Sequence, residues 1–168
     1  MTPARHNDVS ITTPDSDDVD ALADMWVELA ADQRGHGSHL LAAANRSRIR
    51  ETFTRHVITD TVRVAVADST LVGFVTFDVE TETYAQDVTR GLIHNIYVRP
   101  SHRGRGIGDE LLTVAETELV ETGVDVVALQ VLADNEAARR LYRRRGYTPH
   151  RLELEKSIET DTLTSDDP

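Results

Sequence analysis

Residues 9–12 alternate apolar and polar positions and predict a short first strand. Pro14-Asp15-Ser16-Asp17 then supplies capping groups ahead of Val19, Leu22, Met25, Trp26 and Leu29, which share one face of a helix. Gly35-His36-Gly37-Ser38 ends that helix. A second helix is predicted from about residue 39 to 56, with Leu40, Leu41, Ala44, Ile49, Phe53 and Val57 as its apolar side. Residues 62–66 and 71–79 read as the two strands of a hairpin, turned at Asp68-Ser69-Thr70. Residues 80–90 are polar and unpatterned, long enough for a loop beside a site.

The second half repeats the alternation of strand and helix. Residues 92–98 form an apolar run of strand length, and a helix follows from about 108 to 122, with Leu111, Leu112, Ala115 and Leu119 inward and Gly123 as its stop. Residues 126–132 suit a buried central strand. Residues 135–145 predict a helix ended by Gly146, and 147–154 a returning strand with Leu152 and Leu154 alternating. The pattern describes one domain over residues 1–156, followed at 157–168 by an acidic, Thr-rich tail with the composition of disorder.

Composition removes several classes. The chain has 168 residues and no cysteine, which excludes disulfides and thiol catalysis and fits a cytoplasmic protein. No apolar run of membrane-spanning length occurs, and Met1-Thr2-Pro3-Ala4-Arg5 does not read as a signal peptide. A net charge of -11 argues against nucleic acid as a partner. Lys156 is the only lysine beside 17 arginines, and Asp outnumbers Glu 17 to 12. That balance fits either a high-salt cytoplasm, where screening tolerates strong self-repulsion, or an ordinary acidic protein of biased composition.

The chemistry concentrates in Arg103-Gly104-Arg105-Gly106-Ile107-Gly108, between a strand and a helix. Glycines let backbone approach a ligand closely, and a helix start offers unpaired N–H groups and a positive dipole end. Together they make a phosphate seat. A Walker A loop would need a lysine that is absent here. A dinucleotide fingerprint would need G-x-G-x-x-G early in a βαβ unit, whereas this loop lies past mid-chain and follows a hairpin.

The run from Ile93 to Tyr147 resembles the GNAT superfamily of N-acetyltransferases, which move an acetyl group from acetyl-CoA to an amine. Its Q/R-x-x-G-x-G/A signature is matched by residues 103–108, after a strand ending Tyr97-Val98-Arg99-Pro100. A second motif is matched by the stretch from Val131 through Asn135 to Leu141-Tyr142, and by Arg145-Gly146-Tyr147. The resemblance implies an α/β fold of the α+β type, a single GNAT-like domain with a mixed central sheet, a splayed parallel strand pair and about four main helices.

The resemblance also implies roles. The loop residues Arg103, Gly104, Arg105, Gly106, Ile107, Gly108 and Asp109 would hold the CoA pyrophosphate, chiefly through backbone amides. Ile96, Tyr97 and Val98 would pair with pantetheine like an added strand. A bulge there would splay the parallel strands. Asn135 would contact the cofactor, cap a helix, or both. Tyr142 would protonate the leaving thiolate, a transfer that thiol and phenol acidities permit.

A neutral amine must also be generated. Many relatives use a Glu near the central strand, but residues 92–98 contain no acid, so His94 is the candidate base. Asp78 and Glu80 are the nearest acids. His36 and His39 are three apart with no third ligand of suitable spacing, so no metal is expected. In the implied fold His36, His39 and Trp26 stand near the acceptor, with Trp26 also at core spacing. The acceptor would be a cationic primary amine, on a small molecule or a peptide N-terminus, and a homodimer is compatible with the fold. A non-catalytic acyl-CoA-binding sensor is the competing class.

Overall fold

A computed structural model describes residues 8–82 and 84–158. Strand β1 (Val9–Thr12) leads through a capped 3₁₀ turn into helix α1 (Val19–Arg34). The cap is reciprocal: Asp15 accepts from the Asp17 N–H at 2.8 Å while Asp18 accepts from the Asp15 N–H at 3.0 Å. Helix α2 (Arg46–Thr59) precedes the hairpin of β2 (Val62–Ala67) and β3 (Thr70–Val79). Asp68 and Ser69 both have positive φ, 49° and 61°, the geometry of a two-residue hairpin turn. Then come β4 (Arg90–Val98), α3 (Ile107–Glu121), β5 (Val126–Leu129) and α4 (Glu136–Arg144).

The five strands form one mixed sheet in the order β1-β2-β3-β4-β5, antiparallel except for the parallel β4–β5 pair. Helices α1 and α2 cover one face, where Leu22, Met25, Phe53, Val62, Val64 and Phe74 are almost wholly buried. Helix α3 covers the other with Leu111, Leu112, Ala115 and Leu119, against Val75, Phe77 and Ile93. Among the described residues no helix is long and apolar enough to cross a membrane.

Two irregularities shape the sheet. The β3–β4 register passes from Thr76↔Asn95 to Phe77↔Ile93, so β4 carries one extra residue, His94, in a bulge. The β4–β5 ladder runs from Arg90↔Val126 to Ile93↔Leu129 and ends there, while β4 continues to Val98. Beyond Ile93 the parallel strands part. The splayed pair expected from the resemblance is present, with its bulge at His94, two residues ahead of Ile96.

Three expectations are corrected. The second helix starts at Arg46, not near residue 39; Gly37 has a φ of 95°, and Leu40 and Leu41 lie exposed on a connector. The Asn45 side chain donates to the Leu41 carbonyl at 2.7 Å, fixing a 3₁₀ turn ahead of the helix. Strand β5 is four residues long and only half-buried, because it stands at the sheet's edge. No strand forms over 147–154: Leu152 and Leu154 are 81% and 89% exposed, so neither face of the alternation is covered. The expected tail falls mostly at 159–168, outside the described residues.

Candidate active site

The phosphate-seat prediction has a physical basis in backbone geometry. Gly104 and Gly106 take positive φ, 75° and 80°, and Gly106 is the residue before the first turn of α3. No side chain caps that helix. Among the described residues, the N–H groups of Gly104 through Asp109 have no protein acceptor; the first bond of the turn is Glu110 N–H to the Gly106 carbonyl, at 3.1 Å. Six amides without a protein acceptor at the positive end of a four-turn helix are suited to hold an anion.

The side chains around the loop divide sharply. Arg105 is exposed and, among the described residues, makes no ion pair. Arg103 is held elsewhere: its Nε donates to the Val98 carbonyl at 2.8 Å, an Nη donates to Asp32 on α1 at 3.0 Å, and the guanidinium lies 5.5 Å from the Tyr97 ring centroid. Asp109 turns its carboxylate toward Arg145, at 3.4 Å, and so away from where an anion would bind. Arg145 also donates to Glu116 at 2.9 Å and to Thr113 at 3.1 Å, clamping the end of α4 to α3.

A cavity opens where β4 and β5 part, and Tyr142, His94, Asn95, Ile96, Gln33 and Leu129 contribute to its wall. A larger one of about 210 Å³ adjoins it, with His94 on the shared boundary and Glu80, Arg90, Leu92 and Arg151 beyond. Glu80 and Arg90 form a largely buried pair at 2.8 Å. The two candidate proton-transfer residues therefore line one space, although 48 positions separate them in the chain.

The chain's four tyrosines are not equivalent. Tyr97 donates its hydroxyl proton to Glu28 at 3.0 Å, and burial followed by that carboxylate pushes its pKa up to about 12. Tyr147 donates to Glu116 at 2.8 Å, and burial, then Glu116, raise its pKa. Tyr84 is 82% exposed on the loop after β3. Tyr142 packs its ring edge-on to Tyr147, centroids 5.9 Å apart, and its hydroxyl has no hydrogen-bond partner among the described residues. Burial raises its pKa, so it carries its proton at neutral pH.

Asn135 caps α4, accepting from the Ala138 N–H at 3.2 Å, which leaves its NH₂ group for a ligand. Of the expected strand residues, Ile96 lines the cavity and Val98 lends its carbonyl to Arg103. Tyr97 points to the α1–α2 face and is core. Trp26 is core as well. His39 lies apart from the cavity and meets Glu155 at 2.7 Å. The sequence reading missed Gln33, Glu28 and Asp32, which α1 brings against β4 and the glycine loop. Their i, i+4 spacing and near-continuity on one helix face was the available signal.

Residues 49–147 match the model of the acetyltransferase (GNAT) family. An uncharacterized N-acetyltransferase of Archaeoglobus fulgidus is 31% identical over 137 residues, covering 80% of this chain and 89% of that one. Among solved structures, a GCN5-related N-acetyltransferase from Ralstonia eutropha superimposes with a TM-score of 0.71 at 27% identity, over 89% of this chain and 98% of its own. A predicted acetyltransferase from Clostridium acetobutylicum, solved with acetyl-CoA, shares the fold at a TM-score of 0.69 and 18% identity, over 89% and 96%. With its free helix-start amides, its parted strands and these likenesses together, this chain belongs to the GNAT family of acetyltransferases.

Proposed function

We propose that this chain transfers an acetyl group from acetyl-CoA to a cationic primary amine by direct attack, with Tyr142 as general acid and His94 as base. One observation carries the reading: among the described residues, Tyr142 is the one tyrosine of the folded core whose hydroxyl has no carboxylate partner, and it lines the same cavity as His94. The pyrophosphate of the donor would rest on the amides of Gly104 to Asp109, with Arg105 over it and the Asn135 NH₂ group alongside. The pantetheine arm would add to β4 beyond Ile93, where the parallel partner is missing. The family likeness and a fold neighbour solved with acetyl-CoA support the donor.

The steps balance. His94 takes a proton from the acceptor's ammonium, and the neutral amine attacks the thioester carbon. Backbone N–H groups of the parted β4 segment stabilise the developing oxyanion. Collapse breaks the C–S bond, the thiolate takes the Tyr142 proton, and the new amide nitrogen gives up its second proton to solvent. Solvent restores Tyr142, and His94 releases its proton, so one amide, one CoA thiol and one proton result. The Asp78 carboxylate in contact with His94, and a net charge of -11, favour a cationic acceptor.

The test is thiol release from acetyl-CoA across a panel of primary amines, with the wild type and Tyr142→Phe. The expected result is a kcat lowered by about 10²-fold or more in the variant, with acetyl-CoA binding retained. A wild type that binds acetyl-CoA tightly yet releases no thiol with any amine would instead be an acyl-CoA sensor.

A further inference from the structure

His94 has two ring nitrogens, and among the described residues only one has a partner. Its Nε2 lies 2.7 Å from Asp78 Oδ1, a distance at which the ring N–H donates to the carboxylate. Among the described residues, Nδ1 has no partner. This pairing follows from the β4 bulge. With the Phe77↔Ile93 register continued, His94 would stand directly opposite Thr76; with the extra residue, His94 and Asn95 together face Thr76, and Asp78 lies two pairs further along, opposite Leu92. The bulge re-aims the imidazole toward the Asp78 carboxylate.

The surroundings narrow what this pair can do. His56 on α2 approaches the same imidazole, ring centroids 6.3 Å apart, but its Nδ1 is bound to the Thr61 hydroxyl at 2.7 Å. Burial first, and His94 second, depress the His56 pKa, so His56 is a neutral wall at neutral pH. On the other side, Glu80 and Arg90 neutralise each other at 2.8 Å. Arg151 and Tyr142 complete the charged and titratable groups around the two adjoining cavities. Among the described residues, Asp78 is the one carboxylate in direct contact with His94.

We infer that Asp78 is a positioning residue for acetyl transfer: it accepts the Nε2 proton of His94 and so presents the Nδ1 lone pair to the acceptor's ammonium group. The inference rests on the reading of His94 as base. Proton transfer makes His94 an imidazolium, which the adjacent carboxylate stabilises without itself taking the proton. Asp78 does not touch the reacting atoms. Its work is to set the tautomer, hold the ring plane and offset the transient charge. Without it the neutral ring would populate both tautomers, and the fraction with its proton on Nδ1 would be useless as a base.

The experiment compares the full-length wild type with Asp78→Asn, Asp78→Glu and His94→Gln. A two-bond ¹H–¹⁵N correlation on the acetyl-CoA-free protein, above the histidine titration range, reports the His94 tautomer without any turnover. The wild type is expected to show the Nε2–H tautomer alone, and Asp78→Asn a mixture or the reverse. Turnover with the best amine of the panel is expected to fall about 10²-fold in kcat in Asp78→Asn, with the acetyl-CoA KM unchanged and part of the rate recovered in Asp78→Glu. A merely structural role would move melting temperature and KM and leave the tautomer alone. An unchanged tautomer in Asp78→Asn, or a wild-type kcat there while His94→Gln is slow, overturns the positioning role alone. A wild-type kcat in His94→Gln overturns the base reading beneath it.

Discussion

Two glycines two residues apart on the anion loop should respond to alanine in opposite directions. Gly106 has φ of 80° and ψ of 6°, left-handed backbone that an L side chain adopts only at a cost. A Cβ built there meets nothing within 4 Å, so the cost of Gly106→Ala is conformational, about 1–2 kcal/mol. Gly108 lies inside the first turn of α3 with ordinary helical backbone, and a Cβ there also meets nothing within 4 Å. Gly108→Ala removes a poor helix former and gains at most about 1 kcal/mol. For a chain of this size about 2–4 °C of melting temperature accompanies each kcal/mol. The two variants should therefore melt on either side of the wild type. Acetyl-CoA binding the folded state raises the melting temperature by mass action, and this rise should persist in Gly108→Ala but shrink in Gly106→Ala, whose amides no longer converge. If Gly106→Ala melts with the wild type and keeps the full ligand-induced rise, neither the strained turn nor the amide seat is right.

Gly91 on β4 would place a Cβ 2.9 Å from Leu119 Cδ2 and 3.2 Å from Leu119 Cβ, so Gly91→Ala should cost about 1–3 kcal/mol by overpacking. Thermal melts of Gly91→Ala in a Leu119→Ala background should show a much smaller loss, and equal losses in both backgrounds would refute the contact. Tyr97 ionises at about 12 in the folded protein against 10.0 for the free side chain, because burial and then Glu28 oppose the phenolate. Its contribution is thus complete below pH 10 and lost as pH rises toward 12. An alkaline absorbance titration with parallel melts should show the decline, and Tyr97→Phe should abolish that component.

The elements that were legible in the sequence are those with two agreeing local signals. Helix α1 follows a capped 3₁₀ turn and has a five-residue apolar face, and α3 has glycine stops at both ends of its Leu111, Leu112, Ala115 and Leu119 stripe. The misreadings share one physical cause. Leu40, Leu41, Leu152 and Leu154 are apolar residues spaced as if they faced a core, yet all four are exposed. Periodicity says that a face exists; it does not say that another element covers it. The shortening of β5 has the same origin. Its apolar run continues past Leu129, but β4 diverges after Ile93, and pairing stops where the partner leaves.

The site shows the same asymmetry between local and distant information. The anion seat was readable because its working parts are consecutive amides whose conformation the glycines themselves dictate. Tyr142 and Asn135 were readable through the second family motif, whose helical spacing puts them on one face. What separates the proposed tyrosine acid from a tyrosine strut is a partner far away in the chain: Glu28 for Tyr97, Glu116 for Tyr147, and, among the described residues, none for Tyr142. Asp78 and His94 stood in the sequence as separate candidates, 16 positions apart, and a one-residue bulge makes them a pair. A bulge leaves no signature in composition, because it is a mismatch of register between two otherwise ordinary strands. The proposed donor seat is thus encoded over a few adjacent residues, whereas the proposed proton-transfer pair depends on sheet register. Substitutions that undo the bulge at His94 should therefore part the proposed Asp78–His94 pair and slow thiol release, and an unchanged kcat would refute that pairing.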